Sequence, residues 1–171
     1  MAGVKLIHHV NVQISNRERT REWYEKVLGA EFLDRGQLNQ RQLQLRIGAG
    51  EMHFTETPNP VSTGHFAVEV DNWEEMLANL DRLGVTYSRS GGTFTNPPRT
   101  PQDDDRQGRR EDNGEHYTYI HDPDGNMIEL VYHPLGLEDS QGNQIELPDN
   151  SRRLRWKQKE GFATSMKEEG R

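Results

Sequence analysis

Alternating apolar and polar residues predict β-strands at two corresponding places in the chain. Residues 6–14 put two valines and an isoleucine on one face, and His9 with two amide side chains on the other. Residues 64–70 repeat this pattern, with Phe and Val on one face and His65 on the other. Since the apolar face of such a strand must cover a helix, we expect His9 and His65 on the opposite face of the sheet.

Helical periodicity follows each of these strands. Capping boxes are predicted to begin at Ser15 and Asp71, and apolar residues then recur at helical spacing. Gly29 and Gly84 are predicted to end the two helices. Further strand candidates are residues 31–35, 42–47 and 51–55 after the first helix, and residues 85–88, 117–121 and 127–132 after the second.

The order strand, helix and three strands therefore occurs twice, which indicates an internal repeat. The modules cover about residues 5–57 and 63–133. The second contains an insertion at about 89–115, for which a solvated excursion and an active-site lid are equally open interpretations. We predict one α+β domain over residues 1–134, built from two βαβββ modules. A C-terminal tail follows at 135–171, and we expect it to be partly disordered or packed on a partner subunit.

Composition narrows the classes of function. The 171 residues carry a net charge of −7 with no dominant basic surface, so nucleic acid is not an expected partner. The absence of cysteine excludes disulfides and thiolate metal sites. Only 31% of residues are hydrophobic and the mean hydropathy is −1.02, typical of a chain that is packed only in part. With no long apolar run and no signal peptide, a cytoplasmic protein without membrane contact is expected.

Glu129 is the unusual residue, because it is a carboxylate inside an otherwise apolar strand. Burying an ionised Glu is costly unless a cation meets it. His9, His65 and Glu129 share the predicted side of the sheet, and two imidazoles with one carboxylate can form a facial site for a divalent metal. A single strand histidine is more often a hydrogen-bonded structural residue. Here two histidines occupy the same position of two repeats, which favours the metal interpretation.

The sequence resembles the vicinal-oxygen-chelate superfamily, which includes glyoxalase I, bleomycin-resistance proteins and extradiol dioxygenases. The resemblance covers about residues 5–133. It rests on the paired modules, Ile-His-His-Val, Trp-Tyr…Val-Leu-Gly, Gly-His-Phe-Ala-Val and Asp-Pro-Asp-Gly-Asn-Met-Ile-Glu. It implies that the modules form an open, cup-like mixed β-sheet barrel, that a small-molecule substrate binds there and that the chain pairs as a homodimer. Whether the metal site lies within one chain or across two stays open.

The same resemblance implies which residues hold the metal. His9, rather than His8, matches the family's ligand position, together with His65 and Glu129. Fe(II) is the first expectation, with Mn, Ni or Zn as alternatives. Aligning residues 52–54 with 127–129 makes Phe54 the counterpart of Glu129, so a four-ligand site of the glyoxalase I kind is not expected. That alignment puts His53 on the opposite face, as a structural residue.

An extradiol-type dioxygenase is the first candidate reaction. The pattern Tyr-x-x-Asp-Pro-x-Gly-x-x-x-Glu resembles part of that signature, and it makes Tyr119 the predicted catalytic residue. Tyr117, His116 and His121 are predicted to bind substrate, although His116 has the wrong strand parity relative to Tyr119. Packing at a pocket rim is the alternative role for Tyr119. An isomerase, lyase or thiol transferase, or a metal-free binding protein of the bleomycin-resistance type, remain alternatives. Glu69 either moves protons, lines the wall or pairs with Arg46.

Overall fold

The computed structural model describes residues 8–62, 64–91, 105–111, 114–138 and 141–145. The first module forms a four-stranded mixed sheet in the order β1-β4-β3-β2. Strands β1 and β4 are parallel, and the other pairs are antiparallel. Its elements are β1 (His9–Ile14), α1 (Arg17–Leu28), β2 (Glu31–Phe32), α2 (Leu38–Arg41), β3 (Leu43–Ile47) and β4 (Gly50–Glu56).

The second module repeats this topology in the order β5-β8-β7-β6, again with one parallel pair, β5 and β8. The predicted fold class, α+β with two βαβββ modules, is confirmed. A small antiparallel hairpin follows within the predicted tail. The elements of this part are β5 (His65–Glu69), α3 (Trp73–Leu83), β6 (Gly108–Arg109), β7 (His116–His121), β8 (Met127–Tyr132), β9 (Leu137–Glu138) and β10 (Gln144–Ile145).

The N-caps of both long helices lie one residue later than predicted. The side chains of Asn16 and Asn72, not those of Ser15 and Asp71, accept hydrogen bonds from the first-turn backbone. The predicted ends are confirmed, because Gly29 and Gly84 adopt left-handed backbone with φ of 63° and 68°. None of the helices in the described part of the chain is long and apolar enough to cross a membrane.

The edge of the second sheet differs from the prediction. Residues 85–88 contribute only an isolated bridge, between Ser88 and Tyr119. Strand β6, which lies inside the predicted insertion, forms the edge instead. Arg89 and Asp105 close the base of this excursion with a backbone hydrogen bond of 2.9 Å and an ion pair of 3.1 Å. Residues 92–104 and 112–113 of it lie outside the described residues, as do residues 139–140 and 146–171 of the predicted tail.

The core lies between the helices and the apolar faces of both sheets, where the alternation predicts it. On β8, Ile128 and Leu130 are fully buried, whereas Glu129 between them points to the other face. The same division holds on β1, where Ile14 is fully buried and His9 is exposed. Each sheet therefore has one apolar face against a helix and one polar face.

The turn between β7 and β8 joins the two modules. The buried Asp122 carboxylate accepts a hydrogen bond from the Tyr24 hydroxyl of α1 at 3.1 Å. Asn126 donates to the carbonyl of Gln13 on β1 at 3.0 Å. Asp124 accepts from the Arg19 guanidinium at 2.6 Å. This turn therefore sets the strand register and also fixes the second module against the first.

Candidate metal centre

Glu129 lies at the centre of the polar face of the second sheet. Its strand, β8, runs between β5 and β7, and Glu129 stands directly across from Ala67 and Tyr119. Its residue exposure is only 8%. The carboxylate accepts a hydrogen bond from the Tyr119 hydroxyl at 3.1 Å and lies 3.2 Å from His65 Nε2. These two groups meet the buried charge that was anomalous in the sequence.

Tyr119 is fixed between Glu129 and the edge of the sheet. Its ring meets the His65 ring edge-on, with centroids 5.7 Å apart. Burial, together with the hydrogen bond to Glu129, raises the pKa of the Tyr119 hydroxyl, so it stays protonated at neutral pH. Gly91 packs against this ring, since a Cβ there would lie 3.4 Å from the Tyr119 Cγ. The hydroxyl is thus a proton donor held beside the carboxylate.

Arg110 brings a cation to the same face. Its Nη2 lies 3.9 Å from Glu129 Oε1, and its guanidinium carbon lies 5.2 Å from the centre of the Tyr117 ring. The Tyr117 ring lies over the backbone of Gly108, where any Cβ would overlap it. Tyr117 therefore supports Arg110 at the rim of the site, and only glycine fits beneath it.

A line of close polar contacts continues from Arg110 across the sheet. Glu115 binds Arg110 Nε at 2.6 Å and His133 Nε2 at 3.0 Å. His133 Nδ1 lies 2.8 Å from Glu69, which also accepts the His133 backbone N–H at 2.9 Å. Glu69 thus contacts His133 rather than Arg46. From the sequence, His133 either lines the pocket rim or is exposed, whereas Glu115 and Arg110 were not singled out. Strand parity could have indicated Glu115, because it lies four residues before Tyr119.

The polar face of the first sheet carries a second histidine group. The His9 and His53 rings stack with centroids 4.0 Å apart, and His8 Nδ1 lies 3.0 Å from His9 Nδ1. His53 Nε2 lies 3.2 Å from Glu51, which Arg35 also binds at 2.7 Å. Burial would raise the pKa of Glu51, but the bonds from Arg35 and His53 outweigh it and the pKa is lowered. In this group, Glu51 and His53 are thus satisfied by their own partners.

The register of the two sheets corrects one alignment made from the sequence. His53 pairs with Asn11, two residues after His9, as Glu129 pairs with Ala67, two residues after His65. His53, not Phe54, is therefore the counterpart of Glu129. Phe54 is fully buried on the apolar face. The alignment that matched Phe54 with Glu129 is wrong by one residue.

The remaining predicted substrate residues lie elsewhere. His116 has the parity of the buried Thr118, and its ring meets Trp73 of α3 edge-on at 5.7 Å. It therefore lies on the helix side of the sheet, away from Glu129. His121 lines a cleft of about 520 Å³ between α1 and residues 83–86, together with Trp23. Of the predicted substrate residues, only Tyr117 stands beside the candidate centre.

The donors present fit part of a divalent metal site. Two donors bound at about 2.1 Å on adjacent corners of an octahedron lie about 3 Å apart, close to the 3.2 Å between His65 Nε2 and Glu129 Oε2. Within the described residues, no three His, Asp or Glu side chains are grouped to hold a metal. His9 lies on the other sheet, against His53. The described part of one chain thus brings together two candidate donors, His65 and Glu129.

The chain is thus a protein of two βαβββ modules, with a histidine and a carboxylate paired on the polar face of the second sheet. Residues 6–130 match the model of the Glyoxalase/Bleomycin resistance protein/Dioxygenase superfamily. The chain belongs to this superfamily. It is 26% identical over 136 residues to a trivalent organoarsenical cleaving enzyme of Bacillus sp. (strain MD1), covering 77% of this chain and 76% of that enzyme.

Solved structures agree on the fold. A glyoxalase family protein from Bacillus anthracis has a TM-score of 0.60 and 21% identity, with 78% of this chain and 98% of that chain covered. Lactoylglutathione lyase from Agrobacterium tumefaciens has a TM-score of 0.55 and 17% identity, with 77% and 96% covered. At these identities the likeness concerns the fold and not the reaction.

Proposed function

We propose that the protein is a metal-dependent enzyme that acts on a small molecule with two adjacent oxygen atoms. The observation that carries this proposal is the buried Glu129 carboxylate, which meets His65 and the Tyr119 hydroxyl on one face of the sheet. His65 and Glu129 supply two donors, and His9 is the third. Since His9 lies on the other sheet of its own chain, we propose that a second copy in a homodimer supplies it.

The chemistry divides between the bound metal and the residues around it. A divalent metal at this site would polarise the substrate's oxygen atoms as a Lewis acid. Tyr119 is held protonated 3.1 Å from Glu129 Oε1, where its hydroxyl can donate a hydrogen bond or a proton to a substrate oxygen. His65 and Glu129 hold their positions through the rigid register of β5 and β8.

Dioxygenation with Fe(II) is the first candidate reaction. The placement of Tyr119 beside Glu129 supports it, because the partial dioxygenase signature joins these two residues. The test loads the protein with Fe(II) without oxygen, adds catechol and oxygen, and measures oxygen uptake together with ring-cleaved product. One oxygen consumed for each catechol cleaved supports dioxygenation. Iron bound stoichiometrically without oxygen uptake for a panel of catechols contradicts it.

A lyase reaction is the second candidate, because one relative is named as an organoarsenical cleaving enzyme. Trivalent arsenic binds thiolates strongly, and this chain contains no cysteine. Any arsenical would therefore have to bind here through oxygen and nitrogen donors or a thiol supplied with the substrate. Release of inorganic arsenic from a trivalent methylarsenical, measured by chromatography with elemental detection, tests this candidate.

The metal content of native protein tests the proposal as a whole. The protein is purified without a histidine tag and its metals are measured by mass spectrometry. Iron favours oxygen chemistry, whereas manganese, nickel or zinc favours isomerisation, lysis or thiol transfer. Less than about a tenth of an equivalent of any metal, with ligand binding unaffected by a chelator, would favour a metal-free binding protein of the bleomycin-resistance type.

A further inference from the structure

We propose that Arg110 binds an oxyanionic group of the substrate, so the preferred substrates carry a carboxylate or a similar anion beside the two chelating oxygens. The inference rests on the proposed function and adds the substrate's charge to it. Arg110 lies on the polar face of the second sheet, at the rim of the site formed by Glu129, His65 and Tyr119.

The Arg110 guanidinium is bonded to Glu115 through one nitrogen and lies near Glu129 through another. Its Nε donates to Glu115 at 2.6 Å, and its Nη2 lies 3.9 Å from Glu129. That second distance is too long for a hydrogen bond, so Arg110 is near the carboxylate without being bonded to it. Half of the Arg110 side chain is exposed. A guanidinium presents a fork of donors that matches the two oxygens of an oxyanion.

The Arg110 guanidinium is held in place by neighbouring side chains. Glu115 is 12% exposed, and it is itself bound by His133, which in turn is bound by Glu69. Glu115 directly precedes β7, His133 directly follows β8 and Glu69 ends β5, so the line crosses the sheet. The Tyr117 ring supports the guanidinium at 5.2 Å. Such support lowers the conformational entropy that Arg110 would lose on binding a ligand.

The charges of the site also favour an anion. Arg110 balances the Glu115 carboxylate, while Glu69 stands two strand positions beyond Ala67, the residue opposite Glu129. The two positive charges of a divalent metal would exceed the single negative charge of Glu129. The loaded site is thus cationic, and an anionic substrate would be drawn to it.

Binding of matched ligands tests the inference. The metal content of each variant is measured first. Catechol, 2,3-dihydroxybenzoate and 3,4-dihydroxybenzoate are then titrated into the metal-loaded protein by calorimetry. We expect at least one carboxylate isomer to bind about tenfold or more tightly than catechol, as a charged hydrogen-bonding pair provides. Arg110→Gln should remove this preference and leave catechol affinity within about threefold.

Arg109→Gln is the matched control. Arg109 is the preceding residue of the same excursion, it is exposed, and it pairs in register with His116, which lies on the helix side. Its loss removes the same charge from the other face and should leave the preference intact. Glu115→Gln should reduce the preference and not the affinity for catechol, because Glu115 positions Arg110. A purely structural role would instead weaken both ligands together.

The outcomes separate this inference from the proposed function. Metal-loaded protein without a carboxylate preference, or with a preference that survives in Arg110→Gln, overturns the inference and leaves the metal centre standing. If the wild-type protein retains no metal, the titrations are repeated on metal-free protein. A carboxylate preference that depends on Arg110 would then support the anion site and contradict a metal-dependent enzyme. If the metal-free protein shows no such preference, both proposals are contradicted.

Discussion

The polar faces of the two sheets have equivalent strand positions, but different side chains stand at those positions. His9 and His65 open equivalent strands, and His53 stands where the second sheet has Glu129. In the first sheet, His53 is bound by Glu51 and stacked on His9. In the second, a carboxylate that is only 8% exposed meets an imidazole and a hydroxyl. Each polar face thus carries a largely buried carboxylate, but the two carboxylates stand at different strand positions and have different partners.

The two groups differ in how closely a guanidinium balances the carboxylate. Glu51 has Arg35 as a partner at 2.7 Å, whereas the Arg110 guanidinium lies 3.9 Å from Glu129. Glu129 meets the His65 imidazole and the Tyr119 hydroxyl instead, and a cation bound beside them would balance its charge further. Under the proposed function, the first sheet would supply a single donor, His9, and the second sheet would supply the pair His65 and Glu129.

The largest effect is expected when two variants that each lose the metal are mixed and metal binding returns. His9→Ala and Glu129→Ala should each lose bound metal. If His9 of one copy joins Glu129 of another, a mixed dimer contains one intact site. Refolding the two variants together at equal amounts makes about half of the dimers mixed, so about a quarter of an equivalent of metal per chain should return. The readout is metal content after gel filtration.

The control for that experiment mixes two variants of the same side of the site. His65→Ala with Glu129→Ala cannot complement, because both residues belong to the second sheet. Failure of His9→Ala and Glu129→Ala to complement would contradict a site shared between copies. Loss of metal in His8→Ala but not in His9→Ala would show that the assigned strand position is wrong.

Removing the Tyr119 hydroxyl should have an effect of intermediate size on stability. Tyr119→Phe deletes the hydrogen bond to Glu129, so the free energy of unfolding of metal-free protein should fall by about 1–2 kcal/mol. Tyr117→Phe is the control, because its ring stacks on Arg110 and the ring is retained. Urea denaturation measures both. Equal losses of stability in the two variants would show that the hydrogen bond between Tyr119 and Glu129 makes no specific contribution to stability.

The smallest effect concerns the turn that joins the modules. Burial would raise the pKa of Asp124, but hydrogen bonds from Ser15 and Arg19 outweigh it and the pKa is lowered. Its stabilisation is therefore complete above its unfolded value, about 3.9, and is lost as the pH falls through the lower folded value. Asp124→Asn should cost about 1 kcal/mol at pH 7 and less at pH 3, measured by urea denaturation.

Asp122 should behave in the opposite sense. Burial raises its pKa above the usual range despite hydrogen bonds from Asn126 and Asp124. Protonation therefore favours the folded state, and the wild-type protein gains stability relative to Asp122→Asn as the pH falls through the raised value. If the differences for Asp122→Asn and Asp124→Asn moved with pH in the same direction, the assignment of these two carboxylates would be contradicted.

Strand periodicity predicted the faces of the sheets well. Because side chains alternate strictly, His65, Glu69 and Glu129 could be placed on one face without a structure. The register between β1 and β4 could not, since these parallel strands are not joined by a turn that would fix it, and a slip of one residue exchanges His53 and Phe54. Arg110 was also missed, because it follows a two-residue strand inside a polar excursion that has no periodic pattern.

Metal retention by Glu129→Gln tests the central claim most directly, with Glu69→Gln as the comparison. Both changes replace a carboxylate by an amide of the same shape on the same face, but Glu69 contacts His133 whereas Glu129 contacts His65. We predict that Glu129→Gln loses at least nine-tenths of the metal bound by wild-type protein, about a tenfold change, while Glu69→Gln retains it. Equal metal content in the two variants and the wild type would contradict a metal centre at Glu129.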